Sequence, residues 1–282
     1  MTEASQPIVS LRGVDKVFSR SGQPSTTALE GIDLDIGRRE FVSLIGPSGC
    51  GKSTLLRVIG DLVSPTRGDV DVNGKSAAQA RRDRDYGIVF QSPVLFEWRS
   101  VEDNVKLPLE ILGQPAAERS RRAKAMLDLV ELGEFTRHYP YQLSGGMQQR
   151  VAIARALAIE PALLLMDEPF GALDEMTRER MNSEVLRIWE QTGTTIVFVT
   201  HSIPEAVFLS SRVVVMSPRP GRITNIIDVD LPRPRNVETR ESRRYFELIT
   251  EVREALRAGG GMDVDETDLA SEQRTLAEGA VG

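Results

Sequence analysis

Residues 46–54, GPSGCGKST, fit the pattern G-x-x-x-x-G-K-[ST]. Gly46, Gly49 and Gly51 let the backbone wrap closely around an anion, with Pro47, Ser48 and Cys50 completing the turn. The apolar run Phe41–Ile45 stands before the loop and Leu55–Ile59 follows it, so strand, loop and helix come in the order a phosphate cradle requires. The first N–H groups of such a helix have no intrahelical partner and point at the anion. In that geometry Lys52 reaches the β- and γ-phosphates, and the Ser53 hydroxyl, next to Thr54, serves as a ligand for Mg²⁺. The segment predicts a nucleoside triphosphate site.

Further residues have the types and positions to act on that nucleotide. Leu163–Met166 is an apolar strand ending in Asp167 and Glu168. Beside a phosphate loop, Asp167 would help hold Mg²⁺ and Glu168 would face an attacking water as general base. Acidic loops after strands are common, so the pair gains its meaning from GPSGCGKST. His201 follows the run Thr195–Thr200, at the carboxyl end of another strand, where ligands of parallel sheets bind. A neutral imidazole there would bond the γ-phosphate and orient Glu168. Gln91, after Gly87–Phe90, offers an amide oxygen to Mg²⁺ or water. His138, the second histidine, lies among aromatics at 138–141 and reads as structural. In Leu143-Ser144-Gly145-Gly146-Met147, two glycines inside a helix start expose N–H groups to an anion and Ser144 adds a hydroxyl. This second cradle is far along the chain from the first. One nucleotide hardly needs two cradles from one subunit, so the economical arrangement sandwiches each nucleotide between two chains.

The elements that must hold these residues are legible from periodicity. Residues 8–18 and 28–36 alternate apolar and polar positions, as half-buried antiparallel strands do, and Asp69–Val72 runs into the turn signal Asn73-Gly74. From Ser100 to about Pro161 the pattern is helical, with helices expected from Ser100, over 116–132 and over 144–160. Three buried strands follow, Leu163–Met166, Thr195–Val199 and Val213–Met216, separated by helices over about 175–191 and 204–209. Strands alternating with helices predict a parallel sheet. The fold class is α/β: a P-loop core with a mainly parallel sheet, an antiparallel β subdomain and a helical insertion at about 92–160. The expected organisation is a short extension over 1–7, a nucleotide-binding domain over 8–233, one charged helix over 234–258 and an acidic tail over 259–282. In that tail Asp263, Asp265, Glu266, Asp268, Glu272 and Glu278 face Arg274 alone after a glycine break, which predicts disorder without a regulatory role.

Bulk composition narrows the classes. The chain has 282 residues, 40% of them hydrophobic, enough for a sizeable core. No apolar run approaches the roughly 20 residues of a membrane-spanning helix, and MTEASQPIV lacks the charged and apolar regions of a secretory signal. A single cysteine, Cys50, rules out an intrachain disulfide. The formal net charge of −6 lacks the basic footprint of a nucleic-acid binder.

The ordered set GPSGCGKST, Gln91, LSGGM, LLLMDEP, Gly171-Ala172-Leu173-Asp174 and His201 resembles the nucleotide-binding subunit of an ATP-binding cassette transporter, over about residues 8–230. By that resemblance these are the Walker A loop, Q-loop, signature, Walker B strand, D-loop and switch histidine. The resemblance implies ATP and Mg²⁺ as ligands and a head-to-tail homodimer, in which Ser144, Gly145, Gly146 and Asp174 close on phosphates held by the other copy. It gives Phe18 the place of an aromatic that stacks on adenine, against a plain reading of Phe18 as core. It implies a peripheral position at the cytoplasmic face of the membrane, through a separate permease, with a solute-binding protein as an indirect partner. Residues 89–113, 139–157 and 166–178 are most similar to importers of the nitrate, sulfonate, taurine and bicarbonate type. Glu97 departs from the proline usual before Trp98, and Ser211 from an aspartate. An exporter or lipid-trafficking cassette shares the core motifs and differs in these finer segments. A chromosome or repair ATPase would need long coiled coils, and a translation factor two cassettes, and neither is present. The transported solute is not written in such a chain, because the ATPase subunit does not touch it.

Overall fold

A computed structural model describes residues 6–19 and 24–260 of the chain. The expectations for the acidic tail fall on residues 261–282, outside the described residues. Two sheets carry the fold. The first is antiparallel, in the order β2-β1-β4-β5, from β1 (Val9–Phe18), β2 (Thr26–Ile36), β4 (Arg67–Val72) and β5 (Lys75–Ser76). Asn73 and Gly74 both take positive φ between β4 and β5, as a two-residue hairpin turn demands.

The second sheet has six strands in the order β10-β9-β3-β8-β7-β6. Its strands are β3 (Phe41–Ile45), β6 (Tyr86–Phe90), β7 (Leu163–Asp167), β8 (Thr195–Val199), β9 (Arg212–Met216) and β10 (Ile223–Asp228). All neighbours pair in parallel except β10, which runs antiparallel to β9 on the edge. The central strands are buried at every position and mostly apolar because both faces are covered. Phe41, Ile45, Leu164, Met166, Ile196 and Phe198 enter one core with the helical layers, while Val42, Leu44, Leu163, Leu165, Val197 and Val199 enter the other, against the antiparallel sheet. At roughly 25 cal/mol per Å² of apolar surface, this two-sided burial is the largest favourable contribution to the fold.

The helices are α1 (Lys52–Ile59), α2 (Ala77–Asp83), α3 (Val101–Ile111), α4 (Ala116–Leu129), α5 (Gly145–Leu157), α6 (Glu175–Thr192), α7 (Ile203–Leu209), α8 (Val237–Glu241) and α9 (Arg243–Ala258). Side-chain caps start most of them: Ser100 on α3, Ser144 on α5, Asp174 on α6 and Ser202 on α7. Gly193, at φ 63°, closes α6.

Several expectations are corrected. The helix over 144–160 ends at Leu157, three residues short of Glu160, which takes a positive φ of 53° before Pro161. The charged segment near the C-terminus is two helices rather than one, because Ser242 leaves helical geometry and caps α9. Strand β10 and helix α2 had not been anticipated. Arg235, buried without a carboxylate partner among the described residues, ties this C-terminal segment to the rest. It donates to the carbonyls of Val207, Phe208 and Ser210 around the end of α7, and to those of Val229 and Leu231. Burial lowers its guanidinium pKa to about 9.

Candidate functional site

Parallel pairing in register brings four strand ends to one edge of the sheet. Phe90 stands opposite Asp167, Asp167 opposite Val199, and Leu44 opposite Val199. The residues just past those ends are therefore neighbours: the loop at 46–51, His201, Asp167 with Glu168, and Gln91.

The phosphate-type loop has the tight geometry its glycines predict. Gly49 and Gly51 take φ of 73° and 115°. A Cβ on Gly51 would stand 2.8 Å from the Ala28 carbonyl oxygen, so no larger residue fits. Lys52 is buried, and its Nζ donates to the carbonyls of Gly46 at 2.6 Å and Pro47 at 3.1 Å. That holds the cation on the loop's concave side. Cys50 faces inward against Gly46, and burial pushes its thiol pKa up.

The Ser53 hydroxyl donates to Asp167 Oδ1 at 2.6 Å, and Arg57 Nη2 lies 3.6 Å from Oδ2 of the same carboxylate. Two hard oxygen donors thus sit side by side at the loop's end, which suits a small divalent cation. Glu168 follows with φ 46°, a left-handed conformation that costs an ordinary residue on the order of 1–3 kcal/mol. Its N–H donates to the Val199 carbonyl at 3.0 Å, which fixes the turn. Its Oε2 is 3.3 Å from His201 Nδ1. Gln91 lies beside this turn: a Cβ on Gly171 would be 3.0 Å from its Nε2, and the Gly171 N–H donates to the Glu168 carbonyl.

The Glu168–His201 contact lowers the carboxyl pKa and raises that of the imidazole, each chiefly through the hydrogen bond to the other, with burial opposing. The sign follows. The imidazolium's share of the contact is complete below the ordinary histidine value of about 6.5 and is lost as pH rises through the higher folded value. The carboxylate's share is present above its ordinary value and is lost only as pH falls through the lowered one. A histidine NMR titration is therefore expected to place His201 above about 6.5 in the native chain and lower in the Glu168→Gln variant. Identical titrations in the two proteins would contradict this coupling.

A cleft of about 590 Å³ opens over these groups, lined among others by Phe18, Ser48, Gly49, Gly51, Lys52, Ser53, Thr54 and Glu168. Phe18 is 43% exposed, so it is not a core residue, and Lys16 Nζ stands 5.0 Å from its ring centroid. Pro24, Thr26, Ala28 and Arg219 also line the cleft and were not anticipated. Arg219 lies in the loop after β9, beyond the carboxyl end of another parallel strand, and no motif in the sequence marks it.

Ser144, Gly145, Gly146 and Asp174 do not line this cleft. Ser144 caps α5 by accepting from the Met147 N–H, and Asp174 caps α6 by accepting from the Thr177 N–H at 3.0 Å. The two glycines face the start of α6: a Cβ on Gly145 would be 3.5 Å from Leu173 Cδ2, and one on Gly146 3.0 Å from Thr177 Cγ2. His138 packs on Phe135, with ring centroids 5.1 Å apart, in agreement with its structural reading.

Residues 29–171 match the ABC transporter family, and the chain belongs to that family. It is 48% identical to a taurine import ATP-binding protein of Rhizobium johnstonii, over 82% of this chain and 88% of the relative. It is 41% identical to an aliphatic sulfonates import ATP-binding protein of Bacillus cereus, over 89% of this chain and 97% of the relative. Among solved structures it resembles an ATP-binding cassette in a dimeric, post-hydrolysis state bound to ADP and Pi, with a TM-score of 0.68 and 37% identity, over 78% of this chain and 98% of that one. The chain is an ATP-binding, ATP-hydrolysing cassette. No helix among the described residues is long and apolar enough to cross a membrane.

Proposed function

We propose that this chain is the ATPase subunit that energises import of a small solute of the nitrate, sulfonate or taurine class through a separate membrane permease fed by a solute-binding protein, and that residues 8–233 form its ATP-binding domain. The observation that carries the proposal is the meeting of Lys52, Ser53 and Glu168 in one cleft, with Asp167 bonded to Ser53 and His201 against Glu168, in a chain with import ATP-binding relatives.

In this reading the loop N–H groups and Lys52 bind the phosphates and offset the charge that builds during phosphoryl transfer. Phe18 supports the adenine ring. Ser53, Asp167 and Gln91 would hold Mg²⁺, which would supply Lewis-acid neutralisation of the phosphate charge. Glu168 accepts a proton from the attacking water. His201 orients the Glu168 carboxylate and reaches the γ-phosphate. Ser144, Gly145, Gly146 and Asp174 act across a head-to-tail dimer, on the nucleotide held by the second copy. Their separation from the chain's own cleft supports this assignment.

The permease would meet the segment Pro93–Trp98, between β6 and α3, at the cytoplasmic face of the membrane. Arg155 donates to the Val94 carbonyl at 2.7 Å and the Pro93 carbonyl at 2.9 Å, while Asn104 both accepts from and donates to the Phe96 backbone. That scaffold leaves Trp98 74% and Val94 58% exposed, with the Phe96 and Trp98 rings in edge contact at 4.9 Å. Rigidly presented aromatic surface of this kind suits a partner helix. Replacing Phe96 and Trp98 together by Ala is expected to abolish co-purification with the permease and ATP-driven taurine uptake into vesicles, while the isolated subunit still binds ATP. Normal assembly and uptake by the double variant would reject this surface. A wild-type complex that assembles but carries neither taurine, an alkanesulfonate nor nitrate would reject the solute class.

A further inference from the structure

The turn Ser217–Arg222, between β9 and β10, belongs to none of the motifs above, yet it is built into the nucleotide cleft. The Gly221 N–H donates to the Ala28 carbonyl and its own carbonyl accepts from the Glu30 N–H, both at 3.0 Å. Arg222 pairs with Glu30 at 2.7 Å. A Cβ on Gly221 would stand 2.1 Å from the Cys50 carbonyl oxygen, so the turn's backbone lies flat on the phosphate loop and only glycine fits there. Ser217 closes the turn on itself by donating to the Pro218 and Pro220 carbonyls and accepting from the Arg222 N–H.

This framework delivers Arg219 to the cleft. Its Nε and Nη2 both donate to the Gly49 carbonyl, at 3.2 and 3.0 Å. Among the described residues the rest of its guanidinium donors have no partner and it forms no ion pair. It lines the cleft together with Ser48, Lys52 and Phe18. A planar cation with spare N–H donors, anchored to the carbonyl of a phosphate loop, has the chemistry for a phosphate oxygen.

We propose that Arg219 is a nucleotide-binding residue: it clips the phosphate loop through Gly49 and contributes a second cation, beside Lys52, to the phosphate chain of the bound nucleotide. This rests on the cleft being the ATP site.

The test compares wild type, Arg219→Gln and Arg219→Lys as full-length chains, with Mg-ATP, Mg-ADP and adenosine as probes, by calorimetry for the nucleotides and NMR titration for adenosine. Gln keeps one donor for the Gly49 carbonyl but removes the charge, whereas Lys keeps the charge and loses the fork. Arg219→Gln is expected to weaken ATP and ADP binding about tenfold or more, the scale of a charge-assisted hydrogen bond, and to leave adenosine binding unchanged. Arg219→Lys is expected to recover part of the ATP affinity. Raising salt is expected to weaken ATP binding less in Arg219→Gln than in wild type. Equal ATP affinity in wild type and Arg219→Gln would overturn the proposal. So would equal losses for ATP and adenosine, which would reduce Arg219 to shaping the loop. Failure of the wild type itself to bind ATP would instead remove the ATP-site reading on which the proposal stands.

Discussion

Glu168→Gln is expected to bind Mg-ATP with near-native affinity and to hydrolyse it roughly 10²–10⁴-fold more slowly, the usual scale for losing a general base. The amide retains the size and hydrogen-bonding reach of the carboxylate but cannot take a proton. It also removes the negative partner 3.3 Å from His201 Nδ1. If two copies close on each ATP, a nucleotide that binds and is not consumed holds them together. Size-exclusion chromatography of the variant should then show a dimer with ATP and a monomer with ADP. Wild-type turnover in Glu168→Gln would show that another group accepts the proton.

Lys52→Ala is expected to fail earlier in the cycle. In the structure Nζ rests on two loop carbonyls, within reach of the loop's interior and with little solvent around it. Its removal takes away a preorganised cation from a site that must stabilise extra phosphate charge in the transition state. A loss on the order of 10²–10³ in turnover is expected, as for removal of one preorganised donor elsewhere. ATP binding, followed by calorimetry, should weaken as well, because the β- and γ-phosphates lose a charge-assisted contact in the ground state. Near-native turnover in this variant would remove the loop from the chemistry. The two variants separate the roles: Glu168→Gln should lose turnover with binding kept, Lys52→Ala should lose both.

The parallel core was readable because burial on both faces leaves strands such as Leu163–Met166 and Thr195–Val199 no freedom to be polar. Helix starts were readable because Ser100 and Ser144 must satisfy exposed N–H groups with short side chains. The loop at 46–54 was readable because its backbone demands glycine at fixed places. Strand β10 escaped since an edge strand in ITNIID exposes Thr224–Ile226 and so breaks alternation. The split between α8 and α9 escaped because Ser242 inside a charged, helix-favouring run looks like one more surface residue, and only its cap geometry distinguishes it. Arg219 escaped for a different reason. A lone arginine between two prolines has no pattern, and its place over Gly49 follows from how β9 pairs with β3, a contact between distant segments. The separation of LSGGM from GPSGCGKST had suggested a site shared by two chains. Ser144, Gly145 and Gly146 do not line the chain's own cleft, as a site shared by two chains requires.

A site completed by a second copy is tested most directly by mixing two defective chains. Lys52→Ala disables the phosphate loop and keeps the 143–147 segment. Ser144→Arg blocks that segment and keeps the loop. Each alone is expected to show almost no ATPase activity, and Ser144→Arg alone should still bind ATP as a monomer. In a mixed dimer one of the two sites joins an intact loop to an intact Ser144, so combining the inactive chains should restore a measurable fraction of wild-type hydrolysis. A mixture that stays as inactive as its components, or a Ser144→Arg monomer that no longer binds ATP, would contradict a site shared between copies.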